Sequence, residues 1–376
     1  MEYLFWTSVF LILYPYVGYP LLLQLLSHMW GKSPQHEEGT AQVTLLISAY
    51  NEEAVIADKI ENSLALDYPS ERLEIVVASE SDDRTNEIVG KYAARGVRLR
   101  AFSCRQGKAA TLYATVPQAQ GEIIVFSDAN VFYDRDALRK LVRNFADPRI
   151  GCVSGRHEYV EYGAQSAGAS ETVYWRFETW VKQLESRIFS MVGANGSMFA
   201  LRKKLYAPLS KTRGDDFELP VRVLLQGGGT VLEPEAIGRE KGLESTRAEF
   251  RRRMRIVMWN FGSALKLAVE AVEHRSVFLL FQLVSHKFLR WLAPIFLVVL
   301  LVSSAMLEEG VYQIILGIQV VFYALALVGW VMDSYNVVLP KLFRLPYYFC
   351  AIHLAALVSL VKLLTSSSSA TWERVR

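Results

Sequence analysis

Cysteine is scarce in this chain: Cys104, Cys152 and Cys350 stand far apart, without a C-x-x-C pair or a nearby histidine partner. That spacing excludes a disulfide framework and a zinc site, and it leaves three buried thiols as the expectation. A strong charge of one sign is also lacking. The formal net charge of +3 is too small to imply a nucleic-acid partner. The amino terminus has neither the basic start nor the small-residue cleavage site of a secretory signal, and no internal repeat is visible.

Apolar sequence is abundant instead. At 52% apolar residues over 376 positions, the chain is too long and too oily for one ordinary soluble domain. Apolar runs cover Leu4 to Leu26, Val277 to Leu307, Val311 to Met332 and Pro346 to Thr365. The first is long enough to cross a bilayer and reads as a retained anchor, bent at Pro15, Gly18 and Pro20. The predicted organisation is an anchor over 1–30, a soluble α/β domain over 31–245, a basic interfacial segment over 246–275 and a membrane region of two to three spans over 276–376.

No Lys or Arg precedes the first run and Lys32 follows it, so the positive-inside rule places the soluble domain in the cytoplasm of a bacterial-type plasma membrane. Three further spans would leave the tail Trp372 to Arg376 on the far side, although it carries Arg374 and Arg376. Either residues 346–366 lie in the interface or re-enter, or the weak basic signal is overruled; three spans is the preferred count. The amphipathic stretch Ser285 to Leu292 is expected to begin flat on the cytoplasmic face before the chain enters the bilayer.

Within the soluble domain, strands are predicted at Val43 to Ile47, Glu74 to Ala78, Val97 to Phe102, Ile123 to Phe126 and Gly151 to Ser154. Helical spacing follows the first (Val55, Ile56, Ile60, Ser63, Leu64) and the fourth (Leu138, Leu141, Val142, Phe145). Such alternation implies a largely parallel sheet, whose ligands sit at the carboxyl ends of strands near a topological switch. The polar loops after the first and fourth strands fall there.

Ser127-Asp128-Ala129-Asn130 puts two oxygen-bearing side chains at i and i+2 directly after an apolar strand, within reach of one Mg²⁺ or Mn²⁺. The alternative is an ordinary Asp-Ala-Asn turn. Asp215 and Asp216 precede the helical stretch Leu219 to Leu225; they are either a helix cap or include a general base, Asp216, for an acceptor hydroxyl. The densest charge is Arg247, Arg251, Arg252, Arg253 and Arg255. A diphosphate clamp, an anionic-lipid patch and a solvated helix face compete there, and Arg252 and Arg255 share one face as a clamp requires. The helix bearing Trp175, Glu178, Lys182 and Glu185 either borders an acceptor or simply packs.

Together these motifs resemble the membrane-bound family-2 glycosyltransferases, the group that holds the hyaluronan, chitin, cellulose and poly-N-acetylglucosamine synthases. Ser48-Ala49-Tyr50-Asn51-Glu52 is similar to the family's opening nucleotide loop, and Gly107-Lys108-Ala109-Ala110 to its lysine-bearing segment. Asp128-Ala129-Asn130 stands at the D-x-D position, Gly193 to Ser197 at the Gly-rich stretch, Asp215-Asp216 at the acidic pair and Arg252 to Arg255 at the Q/R-x-x-R-W motif. Three departures matter. In the family's D-G-S-x-D-x-T loop this chain reads Ser79-Glu80-Ser81-Asp82-Asp83-Arg84-Thr85, which puts Asp83 on the second acidic position and Ser79 where the uracil-contacting aspartate belongs, with Glu80 or Asp82 as substitutes. Asn130 replaces the second metal-binding carboxylate, which should weaken cation binding. Ile256 replaces the tryptophan that supports the acceptor sugar in polymerising members, which favours transfer of one or a few sugars.

The resemblance implies a nucleotide-sugar-binding (GT-A type) Rossmann-like α/β domain, mainly parallel, between N-terminal and C-terminal transmembrane helices. It implies an inverting, metal-dependent hexosyltransferase that moves a sugar, expected from a uridine diphosphate donor, to a lipid-linked or glycan acceptor in polysaccharide or glycolipid synthesis at the inner membrane. Asp216 would be the catalytic base, and Asp128 and Asn130 would hold Mg²⁺ or Mn²⁺. Ala49, Tyr50, Asn51, Glu52, Ser79, Glu80, Asp83, Lys108, Asp128, Arg252 and Arg255 would contact the donor. Membrane lipid and partner subunits of a glycan export system are the further partners implied. Ser79, Asn130 and Ile256 motivate an alternative, a non-catalytic subunit that binds nucleotide or scaffolds a partner enzyme; the retained Asp216, Asp128 and paired arginines argue against it. A transporter is disfavoured by the few spans and the lack of an inverted repeat.

Overall fold

The computed structural model describes residues 1–37, 40–160, 167–209, 214–241, 246–335, 337 and 339–365. Strands β1 (Val43–Ala49), β2 (Leu73–Ser79), β3 (Val97–Ala101) and β4 (Ile123–Asp128) run parallel in the order β3-β2-β1-β4. β1, β2 and β4 are nearly continuous apolar runs because helices cover both faces of the sheet, whereas the edge strand β3 alternates apolar residues with Arg98 and Arg100. Val43, Leu45 and Ile47 pack with Ile56 and Ile60 of the helix Ile56–Leu64, whereas Leu46 packs on the other face with Phe126 and with Leu112 of the helix Lys108–Thr115.

β4 is where the topology changes. Its second edge pairs antiparallel with β7 (Met198–Arg202), and the sheet continues through β6 (Ile150–Val160), β8 (Gly229–Lys241) and β5 (Phe132–Tyr133). The result is mixed but mostly parallel. β1 and β4 are aligned so that Ser48 lies opposite Asp128, and the loops that follow both strands therefore open at one edge. That alignment depends on a close approach at the start of β4. A Cβ on Gly121 would stand 2.3 Å from the Thr44 nitrogen, and the Gly121 N–H donates to Thr44 Oγ1 at 2.9 Å.

Among the described residues, four helices are long and apolar enough to cross a membrane: Glu2–Trp30, Val277–Met306, Gly310–Ser334 and Lys341–Thr365. They leave large apolar side chains exposed, including Phe10, Leu21, Ile314, Ile318 and Leu354, as a lipid-facing surface does. Lys341–Thr365 is one unbroken helix, so its apolar run does not turn back as a re-entrant loop. The tail Trp372 to Arg376 lies outside the described residues.

Two expectations are corrected. Ser285 to Leu292 does not lie flat on a surface; it continues inside the helix Val277–Met306 through a π turn, Leu283–Phe288, with His286 buried. Ser285 bonds the Tyr14 hydroxyl, and His286, Lys287 and Arg290 meet carboxylates within the protein. Nor are all three cysteines buried. Cys152 is, but Cys350 is half-buried and Cys104 is exposed in the polar loop ahead of Lys108.

Gly121→Ala is expected to destabilise the domain by about 1–3 kcal/mol, because backbone rather than a flexible side chain stands in the way. Gly90→Ala, where a Cβ meets nothing within 4 Å, is the control, and thermal unfolding of both variants measures the difference.

Candidate active site

A cavity of about 450 Å³ opens where β1 and β4 end. Asp128 closes β4, and its carboxylate is 39% exposed. Lys108 begins the helix Lys108–Thr115 and donates to Asp128 Oδ1 at 2.9 Å. The same ammonium lies 3.0 Å from Asp215 Oδ2, an ion pair by distance whose angle is not that of a hydrogen bond. Asp215 and Asp216 open the helix Asp215–Leu225.

The Gly-rich stretch holds Asp216 from the other side. The Ala194 N–H donates to the Asp216 carbonyl at 2.7 Å, and a Cβ on Gly196 would stand 2.8 Å from Asp216 Oδ2. Glycine is required at 196 because the carboxylate occupies the space a side chain would need. Lys182 ties down the same stretch, donating to Asn195 Oδ1 at 2.7 Å and to the Ala194 carbonyl at 3.2 Å.

Crowding of acids in a buried place sets the electrostatics. Burial, reinforced by the neighbouring Asp215, pushes Asp216 up to about 6. Asp215 is also raised, chiefly by burial, with Lys108 opposing. Lys108 is half-buried and binds its proton more tightly than usual, because Asp128 and Asp215 flank it.

The arginine cluster divides. Arg252 and Arg255 both line the cavity, beside Ile256 and Trp259. Arg255 lies over the Trp259 ring at 5.4 Å and Arg252 over the Trp175 ring at 5.7 Å. Burial and the neighbouring Arg252 disfavour the charge on Arg255, an arrangement that an anion between the two would relieve. Arg251 is exposed, and the Arg247 side chain lies outside what is described.

Of the other residues singled out by sequence, Ala49, Tyr50, Glu52, Glu80 and Asn130 line the cavity, whereas Asn51, Ser79 and Asp83 do not. Those three brace the loops. Asn51, in the left-handed region at φ 56, receives the Asp82 N–H on Oδ1 at 3.0 Å. The buried Ser79 hydroxyl donates to Ser81 Oγ at 2.9 Å. Asp83 accepts from the Thr85 N–H at 2.9 Å and the Glu53 N–H at 3.2 Å. Glu80 accepts from the backbone of Gln106 at 2.7 Å and Gly107 at 3.0 Å.

Sequence reasoning missed Arg105. Its guanidinium lies over the Tyr50 ring at 4.0 Å, and its Nη2 is buried with no hydrogen-bond partner. Only its place three residues before Lys108 could have drawn notice. Also missed were Lys287 and Arg290, which reach the cavity from a membrane helix.

A divalent cation fits the oxygen atoms present. The Asn130 amide donates to Glu240 Oε1 at 2.5 Å, and the other Glu240 oxygen is 3.0 Å from His157 Nε2. The amide oxygen is thus the atom Asn130 can offer beside the Asp128 carboxylate. Among the described residues no group of three His, Cys, Asp or Glu is placed to hold a metal. One carboxylate and one amide oxygen, completed by substrate phosphates, suit Mg²⁺ or Mn²⁺ rather than a protein-caged zinc.

Comparison with known proteins agrees with this geometry. The model of a glycosyltransferase-like family 2 domain matches residues 41–259, and the chain belongs to that family. The probable glycosyltransferase YdaM of Bacillus subtilis is 28% identical over 261 residues, 64% of this chain and 60% of that protein. Beta-monoglucosyldiacylglycerol synthase of Synechocystis is 31% identical over 196 residues, 49% of this chain and 40% of the relative. Poly-beta-1,6-N-acetyl-D-glucosamine synthase of Staphylococcus aureus is 30% identical over 160 residues, 41% and 38%. The chain therefore spans between 38% and 60% of these relatives' own length. Among solved structures, the mannosyltransferase PcManGT from Pyrobaculum calidifontis, in complex with GDP-Man and Mn²⁺, superposes with a TM-score of 0.71 at 22% identity, covering 96% of this chain and 99% of that one. The likeness of fold includes the helices outside the sheet domain, and the GT-A type architecture expected from the resemblance is the one found.

Gly196→Ala is expected to displace the Asp216 carboxylate and lower sugar-nucleotide turnover about 100-fold, with donor-induced thermal stabilisation retained. Nucleotide release by the purified variant measures the first and a melting curve the second.

Proposed function

We propose that this protein is a multi-pass membrane glycosyltransferase that moves a sugar, with inversion, from a uridine diphosphate donor to the hydroxyl of a lipid-linked or glycan acceptor. The observation that carries this reading is the convergence of Asp128, Asp216, Lys108, Arg252 and Arg255 on one cavity whose far wall is built by membrane helices. In this reading the sheet domain faces the cytoplasm, in keeping with Lys32 after the first span. The names of the relatives, a glucosyldiacylglycerol synthase and a poly-N-acetylglucosamine synthase, support a role in glycolipid or polysaccharide synthesis.

Tyr50 and Arg105, stacked on each other, offer a flat face for the donor base, and Arg252, Arg255 and Lys108 receive its diphosphate. Asp128 and Asn130 would hold Mg²⁺ or Mn²⁺, which when bound neutralises charge on that diphosphate. Asp216, pushed up to about 6, is ionised at neutral pH yet more basic than an ordinary aspartate. It takes the proton of the acceptor hydroxyl as that oxygen bonds to the anomeric carbon. The bond from that carbon to the diphosphate breaks on the opposite face, and its electron pair leaves with the nucleotide. Lys108 and the two arginines offset the charge that develops there.

Melting curves with uridine, guanosine and thymidine diphosphate sugars in Mn²⁺ test the donor. A uridine-based donor should raise the midpoint, chelation of the cation should remove the shift, and Arg105→Ala should weaken it about tenfold. A shift by guanosine or thymidine donors alone would overturn the uridine assignment and leave the enzyme class standing. Asp216→Asn should keep the shift and lose about 1,000-fold in turnover; equal turnover in both proteins would overturn Asp216 as the base, and no turnover in the parent would leave only a nucleotide-binding subunit. Because the base must be ionised, kcat/KM of the parent protein should rise with pH through about 6 and flatten above it. A profile without that rising limb counts against Asp216.

A further inference from the structure

The cavity continues past the donor residues to a wall made by the membrane helices, where Tyr16, Lys287, Arg290, Trp291, Ile352 and His353 line it. Two of those helices are deformed at the same level. The π turns Tyr14–Gly18 and Leu283–Phe288 lie against each other, with Tyr14 Oη and Ser285 Oγ hydrogen-bonded at 3.1 Å. A π turn holds one residue more than an α turn and re-aims the side chains it carries. Here it brings the consecutive His286 and Lys287 both to the cavity wall. The turn is fixed from behind: His286 Nδ1 is 2.7 Å from Glu185 Oε1, which also accepts from Tyr19 Oη at 2.6 Å.

Glu178 is the shared carboxylate of this wall. It stands 2.6 Å from Arg290 Nη1, 3.2 Å from His286 Nε2 and 3.3 Å from Lys287 Nζ. One carboxylate thus faces two permanent cations, the reverse of the donor end, where one ammonium faces two carboxylates. Lys287 is the more loosely held. An ammonium has three donors, and its polar contacts are Glu178 and, at 3.4 Å, His286 Nε2. Its side chain is only 14% exposed. Lys287 Nζ also lies 3.9 Å from where Gly193 would carry a Cβ, and the Asp216 carbonyl is equally near that point. A mostly buried cation from a membrane helix and the carbonyl of the proposed base therefore flank the same point at Gly193.

We propose that this wall is the headgroup site for the acceptor, and that the acceptor carries a phosphate-type anion close to its reacting hydroxyl. Lys287 binds the anion, and the apolar chain runs out past Trp291 and Ile352 between the membrane helices. The donor diphosphate does not use this charge, because Arg252, Arg255 and Lys108 meet it at the other end. A neutral lipid head would leave Lys287 sharing the single Glu178 carboxylate with Arg290, whereas an anion supplies the ammonium a partner of its own. The inference deepens the transferase reading and rests on it for the fate of the bound lipid, though not for binding itself.

The test uses the full chain purified in detergent, as the parent protein, Lys287→Met and Lys287→Arg. Thermal stabilisation is titrated with phosphatidylglycerol, diacylglycerol, inorganic phosphate and, as a folding control, the nucleotide-sugar donor. The parent should bind phosphatidylglycerol about tenfold more tightly than diacylglycerol. Lys287→Met should lose that preference, Lys287→Arg should keep it, and all three should keep the donor shift. Equal binding of the two lipids by the parent, or an undiminished preference in Lys287→Met, overturns the proposal. Stabilisation by inorganic phosphate alone that disappears in Lys287→Met supports the anion site and assigns it a free phosphate. If Lys287→Met loses the donor shift through misfolding, the parent's lipid preference and Lys287→Arg decide. A parent that binds the phosphate-headed lipid but no nucleotide sugar removes the transferase reading while leaving the anion site in place.

Discussion

One ammonium holds the acidic centre together. Lys108 is inserted between Asp128, at the end of β4, and Asp215, at the start of a helix far along the chain. Without it, two carboxylates and the adjacent Asp216 would repel one another in a place shielded from water. Its position is in turn a product of the fold. The helix it opens packs by Leu112 against Leu46 of β1 and Phe126 of β4, so the apolar contacts that cover the sheet also aim the charge. The chemistry at the sheet edge thus depends on a packing decision made beneath it.

The parallel half of the sheet was legible from sequence because β1, β2 and β4 are local apolar runs, β3 alternates, and polar loops and mostly helices of matching periodicity follow them. Of the antiparallel half only β6 was legible, through the strand predicted at Gly151 to Ser154. β7 follows directly on the Gly-rich stretch, and β8 reads as a mixture of Gly, Thr, Glu and Arg; both are specified by partners distant in sequence. The site divides in the same way. Residues at strand ends, such as Asp128 and Glu80, could be placed by pattern, whereas Glu178, Lys287 and Arg290 face the cavity only because separate helices pack around it. Asn51, Ser79 and Asp83 each align with a motif letter, and in this structure their hydrogen bonds brace the loops beside the cavity. For Ser285 to Leu292 the amphipathic pattern was right and the partner of the polar face was wrong, since a buried carboxylate satisfies it as well as a membrane surface would.

One departure from the family pattern, Asn130, acquires a physical reason, and another, Ile256, acquires a setting. Asn130 is 2.5 Å from Glu240, and that contact requires a donor. An aspartate there would set two carboxylates against each other in a pocket already crowded with acid, so the amide follows from Glu240. At the acceptor end, Ile256 lines the cavity together with Trp259, one helical turn further on, and with Trp175 and Trp291 from other elements. Loss of one aromatic platform is therefore not loss of aromatic surface, but the rings are differently placed, and two of them already lie against arginines.

The membrane helices are part of the catalytic architecture rather than an attachment to it. Phe217, next to the proposed base, packs its ring against Trp291 at 6.2 Å, and Val192, Phe217 and Val221 share one apolar cluster with Leu279 and Leu283. The peptide carrying Asp216 is consequently positioned between a soluble sheet and a membrane helix. A sheet domain cut free of these helices would lose Lys287, Arg290 and Trp291 from the cavity wall and would also expose the apolar face that steadies Asp216. Anchoring and the placement of Asp216 are then one constraint, because the surface that seats the domain on its membrane helices also aims the carboxylate.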